Sequence, residues 1–115
     1  MPYMLLIVEP PGQREERTLA QGMAAYERMV GFAQDLDRRG VLIATHSLRK
    51  EASRVSTRTG KPSVVDGPFA EAKEFIGGFF LLSCTTREEA LSLASQCPAA
   101  EWATIEVREV GTCYE

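Results

Sequence analysis

The sequence predicts one α+β domain built from two split β-α-β units, and three observations carry the prediction. Two runs, Tyr3–Val8 and Phe75–Cys84, are apolar on both alternating faces, as strands covered on both sides are. Each β-α-β unit has a stretch of helical period between its strands, and a mostly polar hairpin separates the units. The order is β-α-β, hairpin, β-α-β, which is the ferredoxin-like arrangement with its first and third main strands at the centre. Finally, two helices cover only one face of such a sheet. The other apolar face calls for a second copy, so the expectation is a homodimer with its sheets face to face, of the dimeric α/β-barrel type.

Each element has a local reason. Tyr3–Val8 ends at Glu9-Pro10-Pro11-Gly12, because two prolines and a glycine cannot continue a ladder. Polar residues to Arg17 read as a loop. Leu19, Met23, Tyr26, Val30, Ala33 and Leu36 then recur at steps of three and four, one face of a helix from about Leu19 to Arg39. That stripe is expected to pack on the sheet, with Tyr26 in the core, and Gly40 is expected to supply a left-handed cap. Val41–Thr45 reads as a strand. Ala52–Arg58 and Pro62–Val65 form the hairpin around Thr59-Gly60-Lys61.

At Asp66–Phe69 an acidic turn ends the hairpin. Asp66 is expected to accept from the turn backbone and Gly67 to tolerate positive φ. Within Phe75–Cys84, simple alternation puts Phe75, Phe79 and Leu81 on one face and Ile76, Phe80 and Leu82 on the other. The Gly77-Gly78 pair marks a bulge or a close approach by another group. Thr86 and Glu89 match a capping box, Pro98 ends the second helix, and Trp102–Val110 alternates like an edge strand.

Composition removes several classes of function. The 115 residues carry a net charge of −3 with basic residues scattered, which argues against a nucleic-acid surface. Hydrophobic content of 44% supports an ordinary core without disulfide or metal staples. Cys84, Cys97 and Cys113 form no paired motif and read as buried thiols, and a lone His leaves no zinc ligand set. No leader pattern opens the chain and no apolar run reaches membrane length, so a soluble cytoplasmic protein is expected. Nucleotide-binding, metalloprotease and serine-hydrolase motifs are missing, and no cofactor is expected.

Asp66-Gly67-Pro68-Phe69-Ala70-Glu71-Ala72-Lys73-Glu74, followed by Gly77-Gly78-Phe79, resembles the signature of the YCII-related family in its DGPF subgroup. The likeness extends over Tyr3-Met4-Leu5, Gly40-Val41-Leu42, Glu89-Ala90-Leu91, Cys97-Pro98 and Glu106-Val107-Arg108-Glu109. It implies a dimeric α+β barrel. Shorter relatives are read as enzymes with a His–Asp pair in a cleft, and DGPF members are often linked with extracytoplasmic-function sigma factors.

In those relatives the His lies on the first helix, where this chain has none and Tyr26 stands nearest to the role. The one His is His46, so an acid–base pair here would be His46 with Asp66. Both residues end segments that return to the same region. Tyr26, Phe69, Lys73 and Glu74 are the candidate ligand contacts. Each has a plainer role: Tyr26 in the core, Phe69 as a plug beside Pro68, Lys73 and Glu74 in a solvated charged segment. Two functions are expected to compete. One is an enzyme or ligand-binding protein acting on a small polar metabolite. The other is a non-catalytic accessory or regulatory protein with a partner-binding surface.

Overall fold

A computed structural model describes residues 1–114. Among these residues six strands form two sheets: β1 (Tyr3–Glu9), β2 (Leu42–Ser47), β5 (Phe75–Leu82) and β6 (Thr104–Glu109) make one, β3 (Ser53–Ser56) and β4 (Ser63–Asp66) the other. The helices are α1 (Gln13–Glu16), α2 (Leu19–Arg38) and α3 (Arg87–Gln96), with a 3₁₀ turn at Pro98–Glu101. The larger sheet has the order β2-β5-β1-β6, antiparallel throughout. The two strands with apolar residues on both faces are central and β6 is an edge. That order is compatible with the ferredoxin-like arrangement.

The core lies on one face. Leu5, Ile7, Phe80 and Leu82 of the sheet meet Phe32 and Leu36 of α2 and Leu93 of α3. Phe32 and Phe80 pack edge to face with centroids 5.2 Å apart. Ladder pairing sends Met4, Leu6, Phe79 and Leu81 to the opposite face, where they are only half-buried.

Several local expectations change. The segment after β1 is not all loop: Gln13–Glu16 makes one helical turn. The second strand starts and ends later, at Leu42 and Ser47. Between Ile7 and Val8 the β1–β5 register shifts, so Ile7 faces Gly78 and Val8 faces Ile76. Gly77 is therefore the bulged residue, and it reverses the parity beyond it. Phe75 joins Phe80 on the helix side and Ile76 joins Phe79 on the other, against the simple alternation read from the sequence.

Gly40 takes φ 73 after α2, as its cap position predicts. Gly67 does not take positive φ. Space is tight there, because a Cβ would lie 3.1 Å from the Phe69 ring and 3.2 Å from the Ala52 carbonyl oxygen. Cys84 and Cys97 are buried, and burial pushes both thiols up in pKa; Cys113, in contrast, is exposed.

The β3–β4 hairpin belongs to neither layer. Its strands pair only with each other, and Val55, Val64 and Val65 are exposed. The radius of gyration is 16.0 Å, against about 13 Å for a compact chain of this length. The hairpin is an arm.

Candidate functional site

Helix α2 divides into two halves that share one apolar stripe. Phe32 and Leu36, in the second half, are buried against the sheet. In the first half Leu19 is 81% exposed, Met23 55% and Tyr26 58%. The stripe points toward the sheet there without reaching it. Between them lies a cavity of about 750 Å³, floored by Ile7, Phe80 and Gly78 and walled by Met23, Tyr26 and Trp102. Tyr26 is thus a cavity residue and not the core residue its stripe position suggested.

A capping box fixes the start of this half. The Thr18 hydroxyl accepts from the Gln21 N–H at 3.1 Å, and the Gln21 amide oxygen accepts from the Thr18 N–H at 2.9 Å. At Thr86 only one arm of the expected box forms, the Glu89 N–H donating to the hydroxyl at 3.2 Å.

The cavity is bordered by an ion pair whose carboxylate is buried and whose guanidinium is partly exposed. Glu9, 5% exposed, receives Arg14 in fork geometry, Nε to Oε1 at 2.9 Å and Nη2 to Oε2 at 2.6 Å. Arg14 also donates to the carbonyls of Leu48 (2.9 Å) and Gly77 (3.3 Å), and it lies over the Phe75 ring. Hydrogen bonding to Glu9 raises the Arg14 pKa above its ordinary value. The clasp explains the glycine at the bulge: a Cβ on Gly77 would sit 1.4 Å from the Glu9 Oε2. Gly78 is held for a similar reason, since its Cβ would lie 2.9 Å from the His46 carbonyl oxygen. Close approach at Gly77-Gly78 was legible; that the approaching groups are Glu9, Arg14 and His46 was not.

Trp102 carries two guanidiniums, Arg17 at 5.4 Å and Arg28 at 5.5 Å from its ring centroid. Arg28 is ion-paired with Glu101, which lies just before Trp102 and whose carboxyl this contact holds below its usual pKa. Arg17 lines the cavity. Among the described residues no carboxylate lies within ion-pairing distance of it.

Of the residues singled out from the sequence, His46 and Tyr26 border this cavity; Asp66, Phe69, Lys73 and Glu74 do not. His46 pairs with Phe79 in the ladder, and its ring leans on the Phe79 ring at 5.8 Å. Thr45 and Ser47, paired with Phe80 and Gly78, take the cavity side, so His46 reaches the cavity through its main chain and turns its ring to the outer sheet face.

Asp66 is at the base of the arm. Its Oδ1 accepts from the Ser53 hydroxyl at 2.6 Å, a side-chain partner across the hairpin in place of the expected turn backbone. No hydrogen bond or ion pair joins it to His46. Phe69 is half-buried beneath the Arg54 guanidinium, 3.7 Å from its centroid, and stands outside the main core instead of plugging it. Arg54 also reaches Glu71 at 3.3 Å, while Lys73 and Glu74 are exposed. Among the described residues no cluster of His, Cys, Asp and Glu suits a metal ion, and no helix is long and apolar enough to cross a membrane.

Comparison with known proteins decides the family. The YCII-related domain matches residues 1–112. The chain belongs to the YCII-related family. It is also similar to an uncharacterised protein of Rhizobium meliloti (strain 1021), 32% identical over 82 residues. That alignment takes in 71% of this chain and 63% of the relative, so the chain spans less than two-thirds of the relative's length. The YCII-related match includes both the α2 cavity and the arm.

Proposed function

We propose that this YCII-related protein binds, and acts on, a small molecule held between the first half of α2 and the sheet. One observation carries the reading: a helix with a continuous apolar stripe packs only half of it, and the rest walls a cavity. Leaving Leu19, Met23 and Tyr26 unpacked forfeits stabilisation of about 1.5–3 kcal/mol for each side chain left outside a core. A cavity of this size, mostly apolar with a few convergent polar groups, is the usual form of a ligand site.

The protein acts as a cytoplasmic homodimer of the DGPF subgroup, its outer sheet faces packed together as in a dimeric α/β barrel. Met4, Leu6, Phe79 and Leu81 favour this, since no helix covers them. His46 stands on the same face, so proton transfer by His46 and Asp66 is a role for the dimer, requiring a second copy to bring the two together. Sedimentation at micromolar concentration should give a dimer, and a monomer would remove that part of the proposal.

The cavity is tested by ligand-observed NMR with a metabolite mixture. Gly22 lines the cavity and has open space around its Cβ position. Gly22→Leu narrows the site while favouring the helix. Compounds bound by the native protein should lose contact with this variant; undiminished binding would place the ligand elsewhere.

A second reading has its own support in the arm. Exposed Val55, Val64 and Val65 on a hairpin clear of the body suit a partner-binding surface, as in an accessory protein working with an extracytoplasmic-function sigma factor. It gains if no compound in the mixture binds.

A further inference from the structure

We infer that the ligand of this cavity is an apolar monocarboxylate, a long aliphatic or aryl acid whose carboxylate is held by Arg17; this rests on the cavity being the site. The two arginines that line the cavity differ in what they have left to give. Arg14 spends four donor contacts on Glu9, Leu48 and Gly77 and answers the buried Glu9 charge. Arg17 has no acidic partner among the described residues, is half-buried, and sits over Trp102 with its guanidinium carbon 5.4 Å from the ring centroid. The contact with the indole places the guanidinium at the cavity, and a guanidinium without an acidic partner can receive a carboxylate in two parallel bonds.

The surroundings set the rest of the ligand. Arg17 lies two residues before α2, next to its Thr18 cap, and the positive end of that helix adds to the attraction for an anion. Glu27 also lines the cavity and opposes a second negative charge, which favours a carboxylate over a phosphate dianion. Beyond Arg17 the walls are Met23, Tyr26, Val30 and Phe80, surfaces that suit a hydrocarbon or aromatic body.

Trp102 is the sole tryptophan of the chain and touches the cavity, so its emission reports occupancy directly. Octanoate and 1-octanol are titrated against the full chain by Trp102 fluorescence and, independently of the indole, by calorimetry. Octanoate should bind about tenfold or more tighter than 1-octanol, the usual size of a charge-assisted pair. Arg17→Gln should abolish that preference. Arg28→Gln, whose arginine also stacks on Trp102 but lies outside the cavity, should keep it.

The carboxylate assignment is overturned if octanoate binds no tighter than 1-octanol, or if its advantage survives Arg17→Gln. In either case, 1-octanol binding that Gly22→Leu weakens would leave the cavity standing as the site. If neither compound binds, the apolar ligand class falls.

Discussion

The two halves of α2 carry the same periodic stripe and meet different fates. From Phe32 to Leu36 the stripe is core; from Leu19 to Val30 it is the wall of a cavity. Amphipathic spacing fixes which residues share a face and which way that face points. It does not fix how closely the helix approaches what it points at. Groups outside the helix share the gap: Arg14 with Glu9, and Trp102 with Arg17, line the cavity alongside the first half of α2.

The largest effect that separates the halves should come from truncating one apolar side chain in each. Leu36 is 0% exposed. Leu36→Ala should cost about 2–5 kcal/mol, the loss of a buried leucine plus the hole it leaves. Met23→Ala, on the same stripe, should stay within about 0.5 kcal/mol, as surface changes do. Urea unfolding followed by circular dichroism measures both. Equal losses would mean that the first half is packed in solution and that the cavity closes.

The contrast also shows what the sequence could say. The order of the main strands and of the two long helices, the central placement of β1 and β5, the arm and the bulge were all legible, because each depends on local patterning or on a residue that stands out. Long-range partners were not. Glu9 looked like the polar end of a strand and Arg14 like part of a loop, since nothing local reveals a charge buried under a bulge. A usable signal was present: an acidic residue closing a doubly apolar strand, an arginine five residues on, and a glycine pair in the neighbouring strand. The Thr18–Gln21 capping box was equally visible and marks where α2 begins, at the mouth of the cavity.

His46 and Asp66 were the obvious acid and base because few side chains qualify. Within the protomer, strand parity turns the His46 ring to the outer sheet face, away from the α2 cavity. One residue's shift of alternation turns an imidazole from one face of a sheet to the other, and the distance between two loop ends cannot be read from their sequence. Arg17 escaped notice for the opposite reason. One arginine among scattered basic residues looks solvated until its neighbours Trp102 and Glu27 are seen around it.

A smaller effect tests how the lifted half is tied down. Arg28 projects from it to Glu101, and the contact depresses the Glu101 pKa below the ordinary 4.5. A carboxyl with a depressed folded-state pKa stabilises the fold above its unfolded value, and that contribution is lost as the pH falls through the folded-state value. The pair's contribution is therefore intact above about pH 4.5 and fades below it. Both side chains are largely exposed, so the effect on global stability is slight. Its local consequence should be larger: on acidification, amide exchange should quicken between residues 19 and 30 before it changes between 32 and 38. Arg28→Gln should show the quickened exchange already at neutral pH and lose the acid dependence from this pair. The Glu15–Lys50 contact, whose carboxyl is also held below its ordinary value, is untouched by the substitution, so the difference between variant and native protein isolates Glu101. Uniform quickening along the whole helix would mean that its two halves open as one unit, and the division that creates the cavity would then be static geometry without a separate stability of its own.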